Sequence, residues 1–387
     1  MGELKKGVSI IMPCLNEEKT IGICVEKAMN FLKEHDLPGE VVIGDNGSSD
    51  DSIAIAEKLG ARVVNVTEKG YGSALRGAIA ASEYEYIIMG DADDSYNFSE
   101  IGGFIEKLDE GYELVMGNRF WGGIEPGAMS FSHQYIGNPI LSGIGRIFFR
   151  TKIRDFHCGM RGFRKESIEK LGLCTTGMEF ASEMVVKAVL FKIKMTEIPC
   201  KLYPDGRDRP PHLRSIPDGL RHLEFLLIYS PKWLFVYPGI LLTAFGLVFM
   251  IMIYMQTARI GRVQFEVTSM FYGSIMMLIG FQMLQFAVFT GVFGKRIGQF
   301  PPDVTFSERV CSFIEKRGYL CACILFLLGF VGVVYTLVVW AQAGFGGLST
   351  SWVAKTGILF GSLAAVGIEM FLFTVFSRVL QIGNQVD

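Results

Sequence analysis

The chain has 387 residues, enough for two domains, and its 37 Lys and Arg against 39 Asp and Glu give a formal net charge of -2. That balance provides no global basic field, so nucleic acid is not expected as a partner. Hydrophobic residues make up 50% of the chain, yet charged residues crowd its first part and long apolar runs dominate from about Trp233 onward, which excludes a uniformly soluble protein.

Taken in chain order, Lys5 and Lys6 precede "VSIIMP", an apolar stretch too short for a signal peptide and suited to a first strand. Strands are predicted at Val8–Pro13, Val41–Asp45, Arg62–Thr67, Tyr86–Gly90 and Leu114–Gly117. Helical patterns follow at Glu17–Glu34, Asp51–Leu59, Gly72–Ala81 and Glu100–Leu108. This alternation predicts an α/β, Rossmann-like domain with a mostly parallel sheet over residues 1–212. Ligands of such sheets bind beyond the carboxyl ends of the strands, which here read "PCLNEE", "GDNGSSDDS" and "GDADDS".

Between 213 and 232, Leu213, Ile216, Leu220, Leu223 and Leu227 recur at helical spacing, with Arg214, Arg221, His222 and Lys232 beside them. An amphipathic helix in the membrane interface is expected, the alternative being a helix packed on the soluble domain. From 233 to 387 an all-α membrane domain of about four helices follows, at Trp233–Tyr254, Met270–Phe293, Tyr319–Ala341 and roughly Thr356–Phe376, each near the ~20 residues that cross a bilayer. The loop between the second and third carries Lys295, Arg296, Arg309, Lys316 and Arg317, against Arg259, Arg262 and Lys355 in the other two. The positive-inside rule then puts that loop, the α/β domain and both termini in the cytosol of a plasma (inner) membrane protein. The eight cysteines show no CxxC pair and are read as reduced, in agreement. Gln282, Gln285 and Glu369 fall inside the spans; an intramembrane acid is either functional or a helix–helix hydrogen-bond partner.

The acidic runs admit two readings on different residues. Asn97-x-x-Glu100 and Ser48-x-x-Asp51 fit capping boxes. Asp45, Asp91 and Asp93 lie at or just past strand ends, ahead of those caps. Asp91 and Asp93 are alternate residues, so an extended segment carries both on one side. Two carboxylates there suit Mg²⁺ or Mn²⁺ completed by diphosphate oxygens. "KGYGSALRGAI" is not a dinucleotide loop, because Leu75 stands where GxGxxG needs its third glycine.

"PCLNEE", "DNGSSDDS", "GDADDS" and "GNR" (Gly117–Arg119), in that order at strand ends, resemble the family 2 glycosyltransferases of the GT-A fold, and among them the polyprenyl-phosphate (dolichol-phosphate) hexose synthases. The resemblance covers roughly Val8 to Arg214. It implies an inverting enzyme that moves a hexose from a nucleotide sugar, a UDP-hexose being favoured, to a polyprenyl phosphate with Mg²⁺ or Mn²⁺. It implies that Pro13, Leu15, Glu17, Asp45, Asp91 and Ala92 line the donor, with Lys69 and Arg76 near it, and that Asp93, with Asp91, holds the metal. Arg119 would grip phosphate, Asp155 in "DFHCGMRGF" would face the acceptor, and His133, Arg207, Arg209 and Arg214 would bind phosphate. Ser95 stands where many relatives carry Gln, and the basic loop "PDGRDRPPHLRS" is unusual. A processive polysaccharide synthase is disfavoured, since the chain has no Arg-Trp pair for a QxxRW motif. A transport or lipid-flipping module with a degenerate nucleotide-binding regulator is disfavoured by intact Asp91, Asp93 and Arg119. The spanning helices are candidates to present the lipid phosphate or to join copies of the chain.

Overall fold

The computed structural model describes residues 4–207, 215–256, 259–260, 263–301, 306–346 and 350–382, and these form two compact units, Met1–Tyr229 and Ser230–Asp387.

In the first unit, β1 (Lys5–Cys14), α1 (Ile21–Glu34), β2 (Gly39–Asp45), α2 (Ser52–Lys58), β3 (Arg62–Asn65), α3 (Tyr71–Ala81) and β4 (Tyr84–Met89) alternate as the pattern predicts. They continue into α4 (Gly102–Asp109), β5 (Leu114–Asn118), α5 (Arg119–Gly122), α6 (Asn138–Phe149), β6 (Arg161–Arg164), α7 (Lys165–Glu169), α8 (Phe180–Leu190), β7 (Met195–Pro199) and α9 (Ser215–Ile228). The seven strands are ordered β3-β2-β1-β4-β6-β5-β7, and only β6 runs antiparallel to its neighbours. The sheet is therefore mostly parallel, as expected, with α1 and α3 on opposite faces. Alternate β1 residues Val8, Ile10 and Met12 pack into the same core as Ile21, Val25, Ala28 and Leu32 of α1, whose apolar positions recur every three or four residues. On the other face α3 lies directly on β2: a Cβ at Gly44 would stand 2.3 Å from the Ala74 carbonyl oxygen.

The amphipathic stretch forms α9, which packs on α6 and α8. Its buried face is His222, Phe225, Leu226 and Tyr229, while Leu220 and Ile228 are exposed. The packed face is thus rotated from the predicted leucine stripe, whose Leu213 lies outside the described residues; the His222 imidazole meets the Ser182 hydroxyl of α8 at 2.9 Å, and Phe225, Leu226 and Tyr229 bury beside it.

The second unit contains α10 (Tyr237–Tyr254), a two-strand hairpin of β8 (Arg259–Ile260) and β9 (Val263–Gln264), then α11 (Val267–Arg296), α12 (Phe306–Gln342) and α13 (Thr350–Ile382). Four of its helical segments are long and apolar enough to cross a membrane. α11, α12 and α13 run past the predicted apolar segments because nothing breaks the helix where polar residues such as Lys295 and Arg296 begin. The helices pair through small residues: Gly246 of α10 abuts the Gly273 carbonyl of α11, and Gly329 of α12 abuts the Phe360 carbonyl and Ala364 amide of α13. Glu369 of α13 accepts from the amides of Gln282 (3.2 Å) and Gln285 (3.5 Å) on α11, the helix–helix hydrogen bond that was one of its two readings.

Replacing Gly44 with Ala pushes a methyl group into the backbone of α3, and such overpacking costs about 1–3 kcal/mol. The thermal midpoint of the full-length variant in detergent is expected to fall; an unchanged midpoint would contradict the close approach of β2 and α3.

Candidate active site

The parallel register brings the carboxyl ends of three adjacent strands together. Cys14 of β1 lies beside Asp45 of β2, and Ile11 beside Met89 of β4. The strand order reverses between β1 and β4, and the crevice beyond such a switch point is where α/β sheets bind ligands. Pro13, Leu15, Glu17, Asp45, Asp91, Ala92 and Asp93 all sit at this edge.

The loops here are knitted by short polar side chains. The Ser48 hydroxyl accepts from the Asn16 amide (2.9 Å), and that of Ser52 accepts from the Glu17 amide (2.7 Å). Ser48 is therefore no helix cap, and the capping box expected with Asp51 does not form; Asn97, by contrast, accepts from the Ser99 amide. Asp45 is buried, and its carboxylate takes the amides of Gly47 (2.8 Å) and Ser48 (3.2 Å). Asn46 pins the following loop through the Val66 and Glu68 carbonyls and the Gly70 amide. The Lys69 ammonium caps the Asn46 carbonyl at 2.6 Å, beside the Asp45 turn. Arg76 turns elsewhere, to Glu68 (3.4 Å) and the Cys174 carbonyl (3.1 Å).

The run of acids after β4 separates in space. Asp94, in the left-handed region at φ 61°, swings out to the Lys27 ammonium of α1 at 2.6 Å. Asp91 and Asp93 remain on the site. The Tyr71 hydroxyl of α3 donates to Asp91 Oδ1 at 2.9 Å, and burial, then the charge of Asp93, pushes the Asp91 carboxyl up to about 6. On its other side the chain at Gly159 comes so close that a Cβ there would lie 2.4 Å from Asp91 Oδ2. Asp93 Oδ1 accepts from the Ser95 hydroxyl (2.5 Å) and amide (3.1 Å). Its Oδ2 meets Arg207 Nη2 at 2.8 Å, while Arg207 Nε reaches Glu17 Oε1 at 3.0 Å. The chain before Arg207 is laced to the same turn, Gly206 N to the Asp93 carbonyl and Tyr203 N to that of Ser95, each at 3.0 Å. Arg209 and Arg214 lie outside the described residues.

A divalent cation fits this arrangement. Two adjacent carboxylates, one with a raised carboxyl and the other drawing a guanidinium, form a locally under-compensated negative site. Among the described residues no three His, Cys, Asp or Glu side chains converge, so the remaining ligands would be water or diphosphate oxygens, the usual Mg²⁺ and Mn²⁺ arrangement.

Arg119 and Asp155 stand differently from the expectation. Asp155 is fully buried and both its oxygens are taken by Arg119: Nη2 to Oδ1 at 2.7 Å, Nε to Oδ2 at 2.8 Å, and the Arg119 amide to Oδ2 at 3.1 Å. Burial alone would raise this carboxyl, but the guanidinium outweighs it and holds Asp155 below the ordinary carboxylate value. Fully buried and paired to Arg119 through both oxygens, it is badly placed to take a proton from an acceptor. Glu197 of β7, which sequence reading passed over, fixes the same loop by accepting from the amides of Arg154 (2.7 Å) and Asp155 (2.9 Å). His133 sits half-buried in a helical turn before α6, and no hydrogen bond among the described residues joins its ring to the acidic pair.

The model of glycosyl transferase family 2 matches residues 9–172, and that of the family's C-terminal transmembrane region matches 288–381. The low-salt glycan biosynthesis hexosyltransferase Agl6 of Haloferax volcanii is 32% identical over 366 residues, 94% of this chain and 86% of that protein. The chain belongs to glycosyltransferase family 2. It is an integral membrane glycosyltransferase with a GT-A domain and a helical transmembrane region. A dolichyl-phosphate hexose transferase of the same organism is 27% identical over 192 residues, 50% of this chain and 81% of its own. A solved glucosyl-3-phosphoglycerate synthase of Mycobacterium tuberculosis, in complex with Mn²⁺, uridine diphosphate and glucosyl-3-phosphoglycerate, matches with a TM-score of 0.46 at 20% identity over 58% of this chain and 80% of that one.

Removing one partner of a buried ion pair costs about 3–5 kcal/mol, so Asp155→Asn is expected to lower the thermal midpoint strongly. Because the folded carboxyl is depressed, its contribution is complete above the unfolded value of about 3.9 and lost as pH falls through the lower folded value. The gap between wild type and variant, followed by melts across pH, should close only at the acid end.

Proposed function

We propose that this glycosyltransferase moves a hexose from a nucleotide diphosphate sugar, a UDP-hexose, onto the phosphate of a polyprenyl lipid such as undecaprenyl or dolichyl phosphate, with inversion. The observation that carries this reading is the pair of carboxylates Asp91 and Asp93 at the switch point, already drawing the Arg207 guanidinium. A relative named for dolichyl-phosphate hexose transfer supports the acceptor class, as does a membrane region on the same chain.

In the proposed reaction a phosphate oxygen of the acceptor forms a bond to the anomeric carbon as the bond to the donor's diphosphate breaks. The bonding pair leaves on the diphosphate. The acceptor is already an anion, so no proton has to be removed, and an Asp155 occupied by Arg119 is compatible with that. Asp91 and Asp93 would hold Mg²⁺ or Mn²⁺, which when bound neutralises charge on the leaving diphosphate. Glu17, Asp45, Pro13, Leu15 and Ala92 bound the donor crevice, with Lys69 behind the Asp45 turn. Arg207 is placed to exchange its carboxylates for phosphate oxygens, which a guanidinium binds through paired N–H groups. Arg119 spends Nε and Nη2 on Asp155, so its larger part is to hold the loop that carries Asp155 to Gly159 against Asp91.

The basic loop after α11 supports a cytosolic catalytic domain and cytosolic termini. The exposed Leu220 and Ile228 of α9 support contact with the membrane interface, and we propose that the spanning helices join copies of the chain.

The test incubates membranes holding the protein with undecaprenyl phosphate, Mg²⁺ or Mn²⁺ and a panel of labelled nucleotide sugars. Label is expected in the lipid phase from one donor, lowered about 10²-fold or more by Asp93→Asn, with the anomeric configuration inverted. Retained configuration would overturn the single displacement. Nucleotide binding without transfer from any donor would favour a regulatory domain on a transport module.

A further inference from the structure

We propose that the end of the helical bundle remote from Lys232, where α10 finishes and α11 and α13 begin, carries a binding site for a phosphate group. It goes beyond the transfer reaction and uses none of its residues. A cavity of about 150 Å³ there is lined by Tyr254, Gln256, Ser351, Trp352 and Lys355. A dry cavity of that size holds a benzene-sized molecule, so a tetrahedral phosphate has room.

The lining is rich in donors, and the carboxylate that reaches them, Glu266, does so only at long range. Lys355 is the decisive residue, with a side chain only 7% exposed. Its one ion pair reaches Glu266 Oε2 at 3.4 Å, and that partner is itself 58% exposed. An ammonium carries three donors, and among the described residues Nζ makes no hydrogen bond. A buried cation so weakly paired is costly unless an anion completes it. The Ser351 hydroxyl points the same way, since its contact is a long 3.4 Å one to the same Glu266 oxygen.

One further feature suits an anion. Ser351 and Trp352 stand in the first turn of α13, 33 residues long, whose positive end favours negative charge. Tyr254 and Trp352 are the residue types that settle at headgroup level. The ligand is therefore a phosphate group at a membrane surface, carried either by a phospholipid headgroup or by free inorganic phosphate.

The experiment titrates the full-length protein, purified in a neutral detergent, with inorganic phosphate and separately with dihexanoyl phosphatidic acid, by calorimetry. Saturable binding of at least one is expected, weakened about tenfold or more by Lys355→Met, the loss of one charge-assisted bond, and largely kept by Lys355→Arg. Binding of the phosphatidate alone assigns the site to a lipid headgroup, and comparable binding of both assigns it to the phosphate itself. Binding of neither probe, or equal binding by wild type, Lys355→Met and Ser351→Ala, would overturn the proposal. Should Lys355→Met fail to fold, Ser351→Ala combined with Gln256→Leu decides between the same two outcomes.

Discussion

Two carboxylates held side by side at the end of a buried strand repel each other, and much of the first unit is arranged around that repulsion. Like charges about 5 Å apart cost roughly 3 kcal/mol at an effective dielectric near 20. The chain relieves part of this by turning Asp94 out to Lys27 through a left-handed residue. It leaves the rest on Asp91 and Asp93, met by one phenol, one hydroxyl and one guanidinium. A site built only for stability would have neutralised or separated the pair. Keeping it close, with one carboxyl raised by burial and by its neighbour, leaves negative charge that the proposed cation would complete.

Holding Asp91 in place draws on residues far from it in sequence. The fully buried Glu183–Lys187 pair of α8 gathers the amides of Cys174 and Thr175. The Thr176 carbonyl then receives the Ser73 amide at the start of α3, and α3 presents Tyr71 to Asp91. From the other side Glu197 and the Arg119–Asp155 pair fix the chain that runs to Gly159, against Asp91 Oδ2. Buried ion pairs add little net stability over apolar residues but break expensively when one partner is lost. Here they fix the geometry of a carboxylate that neither pair touches.

The parts legible from sequence were those with a local signal. Strands β1 to β5 and helices α1 to α4 announce themselves by alternating β-branched runs and helical periodicity, and the acids announce themselves by crowding at strand ends. The shuffle of roles among charged residues had no such signal. β6 is four residues with arginine at both ends, and its Arg161 is buried on the carbonyls of Phe156, Cys158 and Ala181 rather than on any acid. Glu183, Lys187 and Glu197 read as solvated charges until the fold buries or caps them. Asp155 looks free in sequence because its partner lies 36 residues away. In α9 the leucine stripe promised one face, and His222, Phe225, Leu226 and Tyr229 bury on another.

Under the proposed function a divalent cation on Asp93 would compete with the Arg207 guanidinium for the same carboxylate. The Arg207 bridge to Glu17 and Asp93 would then loosen as cation and donor bind. The chain at Tyr203 and Gly206 hydrogen-bonds to backbone carbonyls of the acidic turn, and those bonds do not depend on the charge of Asp93. In the proposed reaction the exchange would accordingly be confined to one side chain, with Arg207 giving up its two carboxylates for phosphate oxygens of the donor. In the proposed reaction the arginine that now pairs Glu17 and Asp93 would become the one that clamps the leaving group.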